Sequence, residues 1–202
     1  MALKDMVRGD MVRGEAARGN EPRPREPEQS VTLALDEERI ESARQHLEDG
    51  AVTPSYGPYR DSILQLLDAA LATELVCVLR YKRHHFTAKG LASPAVAAEF
   101  LAHANEESAH SDRIAERIVQ LGGEPDYSPA GMLERSHAEY DDSSDLRSML
   151  MSNLRAERVA IESYRQMIQL IGERDPTTRR LLEDILQQEE EHADELKDLL
   201  ED

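Results

Sequence analysis

Tryptophan is absent from this 202-residue chain, aromatic residues make up only 4%, and Cys77 is the single cysteine. A lone thiol excludes a disulfide framework, a cysteine zinc finger, an iron–sulfur cluster and a rubredoxin-type centre. Glycine and proline are few, ten and nine, and cluster between segments. With 32% charged residues and a Leu/Ala/Glu-heavy alphabet, that scarcity favours long helices over a β-sandwich. Cations are under-represented too: 24 Lys and Arg stand against 41 Asp and Glu, a formal charge of −17. Such a surface repels nucleic acid and anionic membrane and attracts cations. No uncharged run exceeds the ten residues Gly50–Tyr59, themselves broken by Pro54, Gly57 and Pro58, so no membrane span is expected. Without the apolar core of a signal peptide at the N-terminus, the expected location is cytoplasmic.

The chain divides by composition. Residues 1–30 carry a tandem repeat, Asp5–Gly9 then Asp10–Gly14, followed by Pro22, Pro24 and Pro27 among alternating charges. With little apolar to bury, this segment is expected to be a disordered tail. Its cations Lys4, Arg8, Arg13, Arg18, Arg23 and Arg25 are interleaved with as many acids, so a solvated linker is the favoured reading over a nucleic-acid arm. Residues 31–58 read as a short helix, capped by Asp36 and stopping near Gly50, with a linker.

Residues 59–202 are punctuated helix. A long pattern runs from about Arg60 to Gly90. Ser93-Pro94 reads as an N-cap with proline at the first helical position, and that helix closes at Gly122-Gly123. A connection of about twenty residues follows, too long for a hairpin turn. The third long helix begins near Ser144 and ends at Gly172, and Asp175-Pro176 caps a fourth. Two helical hairpins joined by one crossover describe an all-α, antiparallel four-helix bundle. The hairpins also look like a diverged repeat: Leu71-x-x-Glu74 before Tyr81 matches Leu154-x-x-Glu157 before Tyr164, which suggests two halves that each contribute half a site.

The apolar stripes of these helices are each interrupted by one glutamate. Inward positions read Ile63, Leu67, Ala70, Glu74, Val78, Tyr81 in the first helix and Phe100, His103, Glu107, His110, Ile114, Ile118 in the second. They read Leu150, Leu154, Glu157, Ile161, Tyr164, Ile168 in the third and Leu182, Ile185, Glu189, His192, Leu196 in the fourth; all follow helical spacing. Glu107-x-x-His110 and Glu189-x-x-His192 put both side chains on one helix face. A single such motif arises by chance in a chain this rich in glutamate. A third copy, Glu134 with His137 in the crossover, has no stripe around it and reads as a surface coincidence. Four unpaired carboxylates in an apolar core would cost several kcal/mol each, and no Lys or Arg stands in the stripes to pair with them. They could be protonated, salt-bridged or solvated; alternatively, two divalent cations would balance them, with one imidazole for each metal. Oxygen-rich coordination with a single nitrogen suits iron or manganese.

The order Glu74, Glu107-x-x-His110, Glu157, Glu189-x-x-His192 resembles the di-iron carboxylate site of the ferritin-like superfamily, over about residues 60–200. The segment around Glu74 and Tyr81, and the run from His110 to the Leu-Gly-Gly-Glu-Pro at 121–125, look like bacterioferritins. The resemblance implies a ferritin-like bundle that binds two iron ions per subunit. Glu107 and Glu189 would bridge them, with Glu74 and Glu157 as terminal carboxylates and His110 and His192 each ligating one iron. Bacterioferritins hold haem through a methionine directly after the first bridging glutamate; Ser108 stands there, so no haem of that type is expected. The short stretch after His192 leaves no room for a fifth helix, which resembles the twelve-subunit mini-ferritins of the Dps type and leaves 12 or 24 subunits open.

What the resemblance implies is a ferroxidase that oxidises Fe(II) with dioxygen or peroxide, for iron storage or detoxification in a hollow homo-oligomeric shell. The alternatives are a soluble di-iron oxygenase acting on a small organic substrate, manganese catalase chemistry, and a Dps-like protein protecting DNA, which the acidic body opposes. Among the other candidates, Tyr81 and Tyr164 could hydrogen-bond the ligands. His103 is expected to be a partly buried interface residue in preference to an accessory metal residue. Cys77 reads as a buried small hydrophobe, and His84 and His85 as facing a subunit contact or solvent.

Overall fold

The structure, a computed structural model, describes residues 33–90 and 92–201. The expected tail, its repeat and its six cations lie outside the described residues. Among the described residues, Leu33–Leu35 and Asp36–Glu201 belong to separate compact units. Leu33–Leu35 have no regular structure, and the second unit is the bundle.

Its helices are α1 (Glu37–Ser42), α2 (Arg60–Thr87), α3 (Ser93–Gln120), α4 (Met132–Arg135), α5 (Leu146–Ile171) and α6 (Pro176–Glu201). Two short 3-10 turns, Leu47–Asp49 and Pro54–Tyr59, connect α1 to α2. The four long helices, each about 40 Å at 1.5 Å per residue, pack pairwise: α2 on α3 and α5 on α6, with α2 also meeting α5 and α3 meeting α6. This is the all-α four-helix bundle with one crossover that the segment pattern predicts.

Local chemistry sets most of the helix ends. Asp145 accepts a hydrogen bond from the Ser148 amide at 2.9 Å and opens α5. Asp175 accepts from the Thr178 amide at 2.9 Å and opens α6 just before Pro176; both are side-chain caps. Gly122, at φ +73°, closes α3 in the left-handed conformation that glycine takes without penalty. Gly123 follows because a Cβ there would stand 2.7 Å from Leu64 on α2.

Two details differ from the sequence expectation. Asp36 does cap α1 through the Arg39 amide, but the helix stops at Ser42 with no buried residue; without an apolar face to dock, it has nothing to extend it toward Gly50. Ser93 is not the cap of α3. Ala92 occupies that position without a side-chain bond, and the Ser93 hydroxyl donates to the Gly90 carbonyl.

The core falls into two apolar clusters. One contains Leu67, Leu71, Ile114, Ile118, Met167 and Ile185, the other Val76, Phe100, Ala104, Met149, Leu150 and Leu196. By length and composition alone, the segment that includes α2 is apolar enough to cross a bilayer, which the lack of long uncharged runs does not reveal. Its apolar residues instead fill both clusters, as befits a core helix.

Candidate metal centre

Between the two clusters the bundle interior is polar. Glu74 comes from α2, Glu107 and His110 from α3, Glu157 from α5, and Glu189 and His192 from α6. None of the six is more than 2% exposed. Their ligand atoms form two overlapping groups, Glu74–Glu107–His110–Glu189 and Glu107–Glu157–Glu189–His192, each with its atoms within 4.8 Å of one another. Glu107 and Glu189 belong to both groups. All six residues singled out from the stripes thus meet in one place.

The hydrogen bonds around this centre all point outward from it. His110 Nε2 donates to Gln188 Oε1 at 2.9 Å, and His192 Nε2 donates to Glu106 Oε2 at 2.6 Å. Each ring therefore turns Nδ1 inward: His110 Nδ1 lies 3.1 Å from Glu189, and His192 Nδ1 lies 3.7 Å from both Glu107 and Glu189. Tying the outer ring nitrogen to a carboxylate or carbonyl fixes the tautomer in metal-binding histidines. Tyr164 donates to Glu74 Oε1 and Tyr81 to Glu157 Oε1, so each of these two carboxylates keeps Oε2 for the interior.

Eight buried atoms of these six residues have no hydrogen-bond partner: Oε2 of Glu74 and Glu157, both carboxylate oxygens of Glu107 and Glu189, and Nδ1 of both histidines. Buried polar atoms are almost always satisfied. A cluster of eight orphans, all lone-pair donors facing one another, fits a pair of divalent cations by number and by chemistry.

Electrostatics agree. Burial, then the charges of Glu107 and Glu189, raise the carboxyls of Glu74 and Glu157 well above the ordinary range. For Glu107 and Glu189, burial pulls the same way, but the close approach of the neighbouring acid and imidazole groups outweighs it and holds both low. Burial opposes the charged form of His192 too, yet the Glu107 and Glu189 carboxylates push it up to about 12, and His110 moves the same way.

The softer candidates resolve individually. Tyr81, Tyr164 and Cys77 are buried, the tyrosines as carboxylate donors. Glu134 and His137 are exposed and belong to neither group of ligand atoms, as expected of a coincidental motif. His103 is fully interior and stacks on His192. His84 corrects the expectation of a solvent or subunit face: it is buried, with Nδ1 against Asn153 and Nε2 3.3 Å from Asp141, because it lies one turn beyond Arg80 and Tyr81 on the inward side of α2. His85 is half-buried, with Nδ1 at 2.6 Å from the Ala97 carbonyl.

Sequence reasoning missed Arg80, which is 0% exposed and donates to Asn153 Oδ1 at 2.7 Å and the Glu139 carbonyl at 3.1 Å. The buried cation is thus hydrogen-bonded by neutral groups and forms no ion pair with the glutamates. Gln188 and Glu106 were missed as well; each is adjacent in sequence to a ligand candidate, Glu189 or Glu107, which was the available signal.

Comparison with known proteins places the chain among relatives of one kind. Residues 64–202 match the family model described as a ferritin-like domain. A bacterioferritin of Desulfovibrio desulfuricans is 29% identical over 131 residues, covering 64% of this chain and 69% of the relative. A nutrient stress-induced DNA-binding protein of Synechococcus is 32% identical over 136 residues, covering 65% of this chain and 76% of the relative. Among solved structures, the dodecameric thioferritin of Bacteroides fragilis, described as bacterioferritin-related, superposes with a TM-score of 0.67 at 34% identity, over 70% of this chain and 85% of that one.

Proposed function

The chain belongs to the ferritin-like family, and from that membership and its paired Glu/His clusters we propose that it is a ferroxidase acting in an oligomeric shell. Ferrous ion is the substrate. Two Fe(II) give up one electron each, and dioxygen takes up the two electrons with two protons to become peroxide, or peroxide does so to become two waters.

The observation that carries this reading is the set of eight inward atoms without partners. In it, Glu107 and Glu189 reach both positions and hold the two ions close together. Glu74 with His110 completes one position, and Glu157 with His192 the other. Four carboxylates neutralise two divalent ions, and oxidation to two ferric ions adds two positive charges that anionic oxygen ligands derived from water or the oxidant would balance. The hydroxyls of Tyr81 and Tyr164 and the side chains of Gln188 and Glu106 orient the ligands from outside. The apolar clusters on either side exclude bulk water from the pair.

Iron storage or detoxification is the role that suits such a site on an acidic protein. The dodecameric relative at 34% identity supports a shell of twelve chains. Nucleic-acid binding, which the name of the Synechococcus relative records for that protein, has little support from a chain of charge −17.

Anaerobic Fe(II) titration followed by admission of air tests the reading. Saturation near two irons per chain and rapid oxidation are expected, with the rate in Glu107→Ala or His192→Ala falling by more than the about 10- to 100-fold that loss of an outer partner costs. Unchanged oxidation in either variant would remove the assignment.

A further inference from the structure

The two halves of the centre are built alike, and one residue sets them apart. A polar side chain stands directly before each E-x-x-H segment: Glu106 before Glu107 on α3, and Gln188 before Glu189 on α6. Each reaches across to the histidine of the other helix. Glu106 Oε2 lies 2.6 Å from His192 Nε2, and Gln188 Oε1 lies 2.9 Å from His110 Nε2. The exchange is reciprocal, as two hairpins of a diverged repeat would make it. The match fails in charge, because a carboxylate holds one ring and a neutral amide holds the other.

Proton placement gives that difference a consequence. Both rings keep Nδ1 inward and without a partner. A neutral ring that offers the Nδ1 lone pair to a cation carries its proton on Nε2, so both outer residues act as acceptors. A carboxylate accepts such a proton more strongly than an amide oxygen does, which leaves more electron density for the inward nitrogen and makes it the better ligand. It also places a fifth negative charge beside one position only. The ligands themselves are matched: Glu74 and Glu157 each accept from a tyrosine, and Glu107 and Glu189 belong to both groups. His103 stacks on His192 alone, but its hydrogen bonds go to Tyr81 and Glu195.

On the two-cation reading proposed above, we infer that Glu106 is a positioning residue that makes the position beside His192 the tighter of the two. The centre then fills in order, the Glu157–His192 side first and the Glu74–His110 side second. Glu106 is half-exposed, and water screens its charge. The preference is therefore expected to be about 10-fold, the low end of what an outer partner of a metal ligand supplies.

Zn(II), which is redox-inert, is the probe. Crystals grown from full-length protein loaded with one Zn(II) per chain are measured at the zinc edge, and the two anomalous peaks give the occupancy of each position. The peak beside His192 should be about threefold the stronger, as when one ion divides between two sites that differ about 10-fold in affinity. Glu106→Gln keeps the side-chain volume and an acceptor oxygen but removes the charge, and should even the peaks. The exchange Glu106→Gln/Gln188→Glu should reverse their order, which a merely structural role for either residue would not do. Equal peaks or the opposite order in the unaltered protein would overturn the role of Glu106 and leave the metal pair in place. A preference for the His192 side that survives Glu106→Gln would do the same. Zinc at neither position would overturn the two-cation centre itself, and the order of filling with it.

Discussion

Without metal, the six central side chains reach neutrality by carrying protons. Glu74 and Glu157 are raised and hold theirs, while imidazolium forms of His110 and His192 offset ionised Glu107 and Glu189. Two divalent ions replace these four protons without changing the net charge. Binding should therefore release about four protons per pair of metals near neutral pH, measurable with a pH-indicator dye in weakly buffered protein; release of fewer than about two would contradict the assignment. The same shifts fix a pH dependence of stability. The native metal-free site holds more protons than the unfolded chain above the ordinary carboxyl and imidazole ranges. Stability is thus lost as pH rises through the raised native values, toward about 12 for His192. The Tm of metal-free protein should fall between pH 7 and 9, and that of metal-loaded protein should fall less. Tyr81→Phe and Tyr164→Phe remove the donors to Glu157 and Glu74 and should weaken metal binding by about 10- to 100-fold while the bundle still folds; competition with a chelator reads this out.

At this scale, the residues whose chemistry interrupts an apolar stripe were legible in the sequence. Glu74, Glu107, His110, Glu157, Glu189 and His192 stand out because each interrupts an apolar stripe at core-facing spacing. Arg80 and His84 were not, since a cation and a histidine beside Lys82 and Arg83 look like a solvated face. Their burial depends on Asn153 and the crossover backbone at Glu139, a meeting of distant segments that periodicity within one helix does not encode.

Among the elements, α6 shows how a boundary read from sequence gains tertiary weight. Asp175-Pro176 marks a helix start, but Asp175 also takes both carboxylate oxygens to Arg117 of α3 at 2.9 Å and accepts from Tyr56 at 2.5 Å. Burial works against its charge, and the bonds from Thr178, Tyr56 and Arg117 overcome it and lower its pKa. Asp175→Ala should remove the cap and leave Arg117 buried without its partner, lowering stability by about 3 kcal/mol. A shift in urea midpoint worth less than about 0.5 kcal/mol would show that the junction matters little. The four long helices were legible because proline, glycine and capping acids mark their ends and a continuous core-facing stripe fills each. α1 was overextended because a polar segment gives no pattern to say where pairing with the core stops.

For the whole molecule, apolar residues left on the bundle surface, among them Leu79, Phe86, Met151 and Leu170, suit burial between subunits. Light scattering should find a particle of twelve chains; a monomer or dimer would favour the soluble oxygenase reading over a storage shell. The bundle was legible as a whole because two hairpins and a long crossover leave few topologies. Subunit number was not, since it depends on surface complementarity that one chain's periodicity does not record.

The central claim is that the polar interior of the bundle exists to hold two metal ions. Anomalous diffraction at the iron edge, from crystals soaked anaerobically in Fe(II), tests it most directly. Two peaks flanked by Glu107 and Glu189, one beside His110 and the other beside His192, are predicted. An interior without iron, its carboxylates paired to imidazolium and its eight inward atoms bonded to one another or to water, would contradict it.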